Sequence, residues 1–268
     1  MGRYFIYKTA GGLNYMLGQI NNAIYLSKTT NRFLIIDCNS DAFCNDFNKY
    51  FNIPDFVYTT NYDCLYQDNS LDKNTFEPYI NGKFRISKNC EYLLNDKIIP
   101  IKLYDIISYN EQIIYFNYLS HPIPNISWYI KVNKDIVDKL IINKINEKYI
   151  GVHYRNTDIK NEINTYISEI QKISDCNLVY LATDDYTAFE KFNELLKNKF
   201  KIIQYTKPLD MLHGECNIHY GNPNKDEVIM NTLIDMYHLI NSTYFIPSGN
   251  SALSKRVLQF KNKDEFFI

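Results

Sequence analysis

From Tyr149 onward the chain repeats one pattern four times: a short apolar run, a polar turn, then a segment with apolar residues at helical spacing. The runs are Tyr149 to Arg155, Leu178 to Asp184, Lys201 to Tyr205 and Tyr244 to Ser248. Helical spacing follows near Asn161 to Ser174, Tyr186 to Phe200, Asp226 to Asn241 and from Ser251 onward. Runs that are apolar nearly throughout are buried on both sides, so they are expected to line up as parallel strands with helices on both faces. The second half is therefore expected to be Rossmann-like.

The first half opens in the same way. Arg3 to Lys8 is β-rich, Gly11-Gly12 breaks it, Asn14 to Thr30 has helical spacing, and Phe33 to Asp37 is a second apolar run. From Cys38 to about Ser127 short strand-like runs mix with Pro and Asn, and no topology can be traced. A helical segment from Asn133 leads back into the regular half. With 268 residues, 46% apolar and 22% charged, the chain can bury a sizeable core. The expectation is an α/β protein of two domains, residues 1–130 and 131–268.

Charge and composition narrow the partners. A net charge of -1 without a basic run predicts no nucleic-acid partner. No apolar stretch approaches the roughly 20 residues of a membrane span. The first residues lack the apolar core of a signal peptide, so a soluble, cytoplasmic protein with no membrane partner is expected. Cys38, Cys44, Cys64, Cys90, Cys176 and Cys216 form no C-x-x-C pair, and reduced thiols are expected.

Open parallel sheets bind ligands outside the carboxyl ends of their strands. That rule collects His153, Arg155 and Asp158 after one run, Thr183, Asp184 and Asp185 after the next, and Ser248, Gly249, Asn250 and Ser251 after the last. Arg155 suits a diphosphate, because a guanidinium stays charged and donates two parallel hydrogen bonds; an ion pair with Asp158 is the structural alternative. Ser248 to Ser251 open a helix, whose free N–H groups and dipole attract an anion, although Asn250 or Ser251 could serve only as a cap. Asp185 could accept the paired N–H donors of a guanine edge or cap the following helix. His153 could meet the nucleotide or be a core histidine. Gly11-Gly12-Leu13-Asn14 lacks the spacing of a dinucleotide loop, so no nicotinamide cofactor is expected. His213, Cys216 and His219 offer three metal-ligand types without an evident fourth, and no D-x-D triplet occurs, so no metal is expected.

Taken in order, these clusters resemble the α1,6-fucosyltransferase superfamily, which includes the core N-glycan and bacterial nodulation enzymes and, more distantly, the protein O-fucosyltransferases. Gly11 to Asn14 looks like the family's N-terminal glycine turn, and His153 to Asp158 resembles its H-x-R-x-T-D motif. Val179 to Asp185 resembles V-Y-L-A-T-D-D, and Ile234 to Arg256 looks like the final helix, strand, serine turn and helix. The resemblance implies a GT-B-like fold, two Rossmann-like domains facing a cleft. It also implies metal-independent, inverting transfer of fucose from GDP-fucose to a carbohydrate acceptor, with no further cofactor. Gly12, Asn14, His153, Arg155, Asp158, Asp185 and Ser248 to Ser251 would bind the donor, with His153 and Asp185 on guanine and Arg155 and the serine turn on the diphosphate. The N-terminal domain would lie on the acceptor side. Glu162 is the candidate base, one residue out of step with the family's glutamate; a solvated first-turn glutamate is the alternative. The sequence departs from the family pattern at Asn156, where a second arginine often stands, and at Gly249-Asn250 in the serine turn. A binding module without catalysis, or a transferase using another GDP-sugar, stays open beside this reading.

Overall fold

A computed structural model describes residues 3–8, 12–38, 46–61, 126–156, 161–206, 224–261, 263 and 266–267, and the backbone of 91–94, 97–100 and 113–116. The chain divides into two compact units, Met1–Lys131 and Val132–Ile268.

In the N-terminal unit, β1 (Tyr4–Lys8), α1 (Leu13–Thr30) and β2 (Phe33–Asp37) form the expected βαβ opening, with β1 and β2 parallel, Tyr4 opposite Phe33 through Lys8 opposite Asp37. Helix α1 stops where Asn31 turns left-handed (φ 50°, ψ 54°), so that Arg32 N donates to Ser27 O at 2.9 Å and Asn31 N to Lys28 O at 3.3 Å. Buried Asn21 on α1 donates to Ser127 O at 3.0 Å and accepts from Tyr129 N at 2.8 Å, so one amide satisfies two backbone groups of an otherwise irregular segment.

The stretch without a legible pattern contributes β3 (Phe51–Asn52), β4 (Tyr58–Thr59), β5 (Glu91–Leu94), β6 (Lys97–Pro100) and β7 (Ile113–Phe116), and β8 (Lys131–Val132) stands where the units meet in the chain. The sheet runs β4-β2-β1-β7-β5-β6. Its first four strands are parallel, while β5 pairs antiparallel with both β7 and β6, giving a parallel sheet with an antiparallel edge.

In the C-terminal unit the expected alternation holds. The elements are α2 (Lys134–Ile141), β9 (Ile150–Tyr154), α3 (Ile163–Lys172), β10 (Leu178–Thr183), α4 (Ala188–Leu196), β11 (Lys201–Ile203), α5 (Lys225–Asn241), β12 (Tyr244–Ile246) and α6 (Ala252–Phe260). All four strands are parallel in the order β11-β10-β9-β12. Every residue of β9 and β10 is buried, as strands covered on both faces require. On one face Tyr154 packs edge-on against Tyr166 of α3 and Phe192 of α4, at 5.1 Å and 5.2 Å between centroids. On the other, Tyr180 lies 4.6 Å from the His238 ring of α5, and His153 meets Ser254 of α6. Asn224 fastens the start of α5 by accepting from Glu227 N at 3.2 Å while its amide donates to the Glu227 carboxylate at 2.9 Å. Among the described residues no helix is long and apolar enough to cross a membrane. Cys38 and Cys176 are free and buried; the other four cysteines lie outside the described residues.

Gly151 lets the end of α5 lie directly on β9. A Cβ there would stand 2.8 Å from both Cβ and Oγ of Ser242 and 3.2 Å from Leu239 Cδ2. Gly151→Ala is expected to destabilise the fold by about 1–3 kcal/mol, the usual cost of overpacking, as measured by denaturant unfolding.

Candidate donor-binding site

In the C-terminal unit the chain winds outward from β9 through β10 to β11 and then returns to the far side of β9 as β12. The strand order therefore reverses between β9 and β12, and a crevice opens there beyond their carboxyl ends. Parallel pairing, with Ile246 opposite Val152, sends Arg155 and the turn Ser248 to Ser251 out at the same rim.

Side chains tie this rim together. Arg155 Nε lies 3.7 Å from Asp184 Oδ2, and both residues are half-buried. Asp184 also accepts from Asn156 N at 2.7 Å. Asn156 Nδ2 donates to Asp185 Oδ2 at 2.7 Å, and Asp185 Oδ1 accepts from Thr187 N at 2.8 Å and Thr187 Oγ1 at 2.9 Å. Burial pushes the Asp185 carboxyl up, but these hydrogen bonds from Asn156 and Thr187 outweigh it and hold the group below the usual carboxylate range. Asn156, a departure from the family pattern, thus ties the loop after β9 to the acid pair after β10. Asp158 lies outside the described residues, as do His213, Cys216 and His219. Among the described residues no group of three or more His, Cys, Asp or Glu could hold a metal ion.

Asn161 is the central tie. Its Nδ2 donates to Arg155 O and, at 3.2 Å, to Ser248 Oγ, joining the two sides of the crevice. Its backbone N–H donates to Asn156 Oδ1 at 3.3 Å. Ser251 is the N-terminal cap of α6, yet its side chain makes no cap hydrogen bond. The residue is 1% exposed and its buried hydroxyl has no partner among the described residues. A buried hydroxyl left so costs free energy unless a ligand completes it. Around Gly249 no described residue comes within 4 Å of where a Cβ would stand.

His153 is buried, and its Nδ1 lies 2.7 Å from Ser254 Oγ. Burial, with the nearby Arg155 guanidinium, pushes its pKa down to about 3, so the ring is neutral at ordinary pH. Glu162 caps α3 by position only: no side-chain cap hydrogen bond forms, and the residue is exposed. It lines an open pocket of about 470 Å³ with Asn161, Thr165, Tyr166, Pro247 and Gly249, so it adjoins the serine turn. In the N-terminal unit, Gly12 precedes α1 in extended conformation and accepts from Met16 N at 3.0 Å, and Asn14 is buried in the first turn. Both stand at the carboxyl end of β1, where that sheet's own strand order reverses between β1 and β7.

Sequence reasoning missed Asn161, Ser254 and Asp235. Nothing marks Asn161 within its loop. Ser254 carries a signal, since helical spacing places it one turn below Ser251. Asp235 also carries one, an acid amid the buried Leu233, Met236 and Tyr237 of α5. Its Oδ1 accepts from Tyr180 OH and Thr206 Oγ1, each at 2.7 Å, and its Oδ2 accepts nothing from the described residues. Tyr180 and His153 alternate to the same face of the sheet, so Asp235 and His153 share it. Burial raises the Asp235 pKa to about 7, against the pull of those two hydroxyls.

No family model and no curated protein matches the chain. Among solved structures it is similar to NodZ α-1,6-fucosyltransferase soaked with GDP-fucose, at 17% identity and TM-score 0.59, covering 97% of this chain and 92% of that one. Fucosyltransferase NodZ from Bradyrhizobium matches at 16% identity and TM-score 0.61, covering 98% and 97%. POFUT1 in complex with GDP matches at 10% identity and TM-score 0.60, covering 98% and 96%. The chain has the fucosyltransferase fold. That GT-B-like α/β architecture here combines a purely parallel C-terminal sheet with a mixed N-terminal one. Of the residues the resemblance singled out, Gly12, Arg155 and the turn Ser248 to Ser251 follow strands, while Gly11 and residues 157–160 lie outside the described residues.

Asp235 supplies a pH signature. Its carboxyl holds a proton up to about 7 when folded and only to 3.8 at its ordinary value, so its contribution is full in acid and is lost as pH rises through that window. His153, at about 3 folded against 6.5, acts in the opposite sense, its contribution falling away as pH drops below 6.5. Asp235→Asn should remove the Asp235 component, read as the difference between wild-type and variant unfolding free energies from pH 4 to 7; a difference independent of pH would refute it.

Proposed function

We propose that the chain is a metal-independent, inverting glycosyltransferase that moves fucose from GDP-fucose to a hydroxyl of a carbohydrate acceptor. One arrangement carries the reading: a fixed guanidinium and a helix N-terminus whose buried hydroxyl has no partner among the described residues share one rim at the strand-order reversal. Both favour a diphosphate, the first by charge and the second by free N–H groups and the helix dipole. The fold adds support, since NodZ was soaked with GDP-fucose and POFUT1 was solved in complex with GDP.

The C-terminal unit then takes the donor and the N-terminal unit the acceptor side. Arg155 and the amides of Ser248 to Ser251, with the Ser251 hydroxyl, receive the diphosphate. The open space at Gly249 lets a phosphate approach the backbone. Asp158 and, in their own unit, Gly12 and Asn14 remain in the proposed donor set. For the base, a carboxylate must accept the N–H groups of guanine. Asp185 is the expected partner: its Oδ2 accepts one hydrogen bond, from Asn156, and keeps a lone pair for the base. His153 and Asp185 then read the base, and the same Asp185 carboxylate, through Asn156 and Thr187, orders the loop.

Glu162 takes the proton of the acceptor hydroxyl as its oxygen forms the new bond to the anomeric carbon. The bond from that carbon to the diphosphate breaks on the opposite face, which inverts the configuration. GDP departs with the electron pair, and Arg155 and the α6 N-terminus offset the charge that develops on it, a role a divalent cation can fill elsewhere.

A thermal-shift series with nucleoside diphosphates tests the donor reading, because a ligand that binds only the folded state raises the melting temperature. GDP should stabilise the protein and Arg155→Ala should abolish the shift; a shift of full size in that variant would remove the diphosphate role. With GDP-fucose and a glycan panel, Glu162→Gln should lower kcat by about 10²–10⁴ while GDP binding is kept, with turnover indifferent to chelator. Binding of GDP without release of GDP from GDP-fucose would instead favour a module that binds and does not transfer.

A further inference from the structure

Ser254 sits one turn into α6, 1% exposed, and its hydroxyl makes two contacts that restrict each other. Ser248 N donates to Ser254 Oγ at 2.9 Å, and His153 Nδ1 lies 2.7 Å from the same oxygen. An amide can only donate, so the first contact uses a lone pair of Oγ. The hydroxyl proton then needs an acceptor, and among the described residues Nδ1 is the one within reach. If Nδ1 carried a proton instead, the Ser254 hydroxyl proton would be buried with nowhere to go. The arrangement in which every group is satisfied has Ser254 donating to a bare Nδ1, which leaves the ring proton on Nε2. The ring is neutral, since burial and the Arg155 guanidinium oppose a second proton.

We infer that Ser254 is a positioning residue of the donor site: its hydroxyl holds His153 as the Nε2–H tautomer and, through the same oxygen, holds the backbone of the serine turn. The inference rests on the reading of His153 and Ser248 to Ser251 as donor contacts. Ser254 couples the part of the rim that meets the base to the part that meets the diphosphate without touching either. It also sets the sign of the histidine contact. His153 can offer ligand a donor and not an acceptor, so the atom it meets must be an oxygen or nitrogen with a free lone pair.

Nitrogen-15 spectra of the ligand-free protein at neutral pH, with His153 assigned, read the tautomer directly, and GDP titration reads the consequence. In the unaltered protein Nε2 should be protonated and Nδ1 should show the shift of a hydrogen-bonded acceptor. Ser254→Ala should move the Nδ1 signal, speed hydrogen exchange at the Ser248 amide and raise the Kd for GDP about tenfold, the scale of one lost hydrogen bond. Ser254→Thr, which keeps the hydroxyl, should restore all three. A proton on Nδ1 in the unaltered protein overturns the inference, and that spectrum decides even where the alanine variant does not fold. A folded Ser254→Ala with wild-type nitrogen signals and unchanged Kd overturns it as well. If the unaltered protein does not bind GDP, the donor reading fails by itself, while the ligand-free nitrogen signals still decide whether Ser254 sets the tautomer.

Discussion

Parallel pairing of β12 with β9, Tyr244 opposite Ile150 through Ile246 opposite Val152, brings the loop after β9 and the turn after β12 out at one rim. Their residues stand about 90 positions apart in the chain. An antiparallel β12 would have sent the serine turn to the opposite edge, leaving Arg155 without the amide donors that complement it. The pairing itself rests on close packing. The α5 end lies on Gly151 with no room for a side chain, and α5 turns into β12 through Thr243, whose N–H donates to Tyr149 O at 2.9 Å.

The rim is held by polar contacts. Asp184 lies beside Arg155, Asn156 reaches Asp184 and Asp185, Asn161 joins Arg155 to Ser248, and Ser254 joins Ser248 to His153. Each such tie is worth little alone, but removing one strands a partner out of water. Left open among the described residues are the Ser251 hydroxyl, the space at Gly249 and the Glu162 carboxylate.

Much of the C-terminal unit could be read from periodicity, because a strand buried on both faces must be apolar at nearly every position, as Ile150 to Tyr154 and Leu178 to Thr183 are. The N-terminal opening was legible for the same reason. Strands β3 to β7 were not, since runs of two to four residues among Pro and Asn carry too few positions to establish a period. The site divides along a similar line. Arg155 and the serine turn follow from the rule that ligands gather at carboxyl strand ends, Glu162 follows from the family resemblance, and Asp185 follows from both. Its engagement by Asn156 and Thr187 is a tertiary fact.

By itself the sequence determined the α/β class, the parallel C-terminal half and the three polar clusters at its strand ends, because these depend on short-range alternation of apolar and polar residues. Only the tertiary structure decided that β12 returns beside β9, that Asn161 and Ser254 bind the clusters together, and that Asp235 meets Tyr180 and Thr206. Strand order and side-chain partnership join residues distant in the chain, and local spacing holds no record of which distant residue will be near.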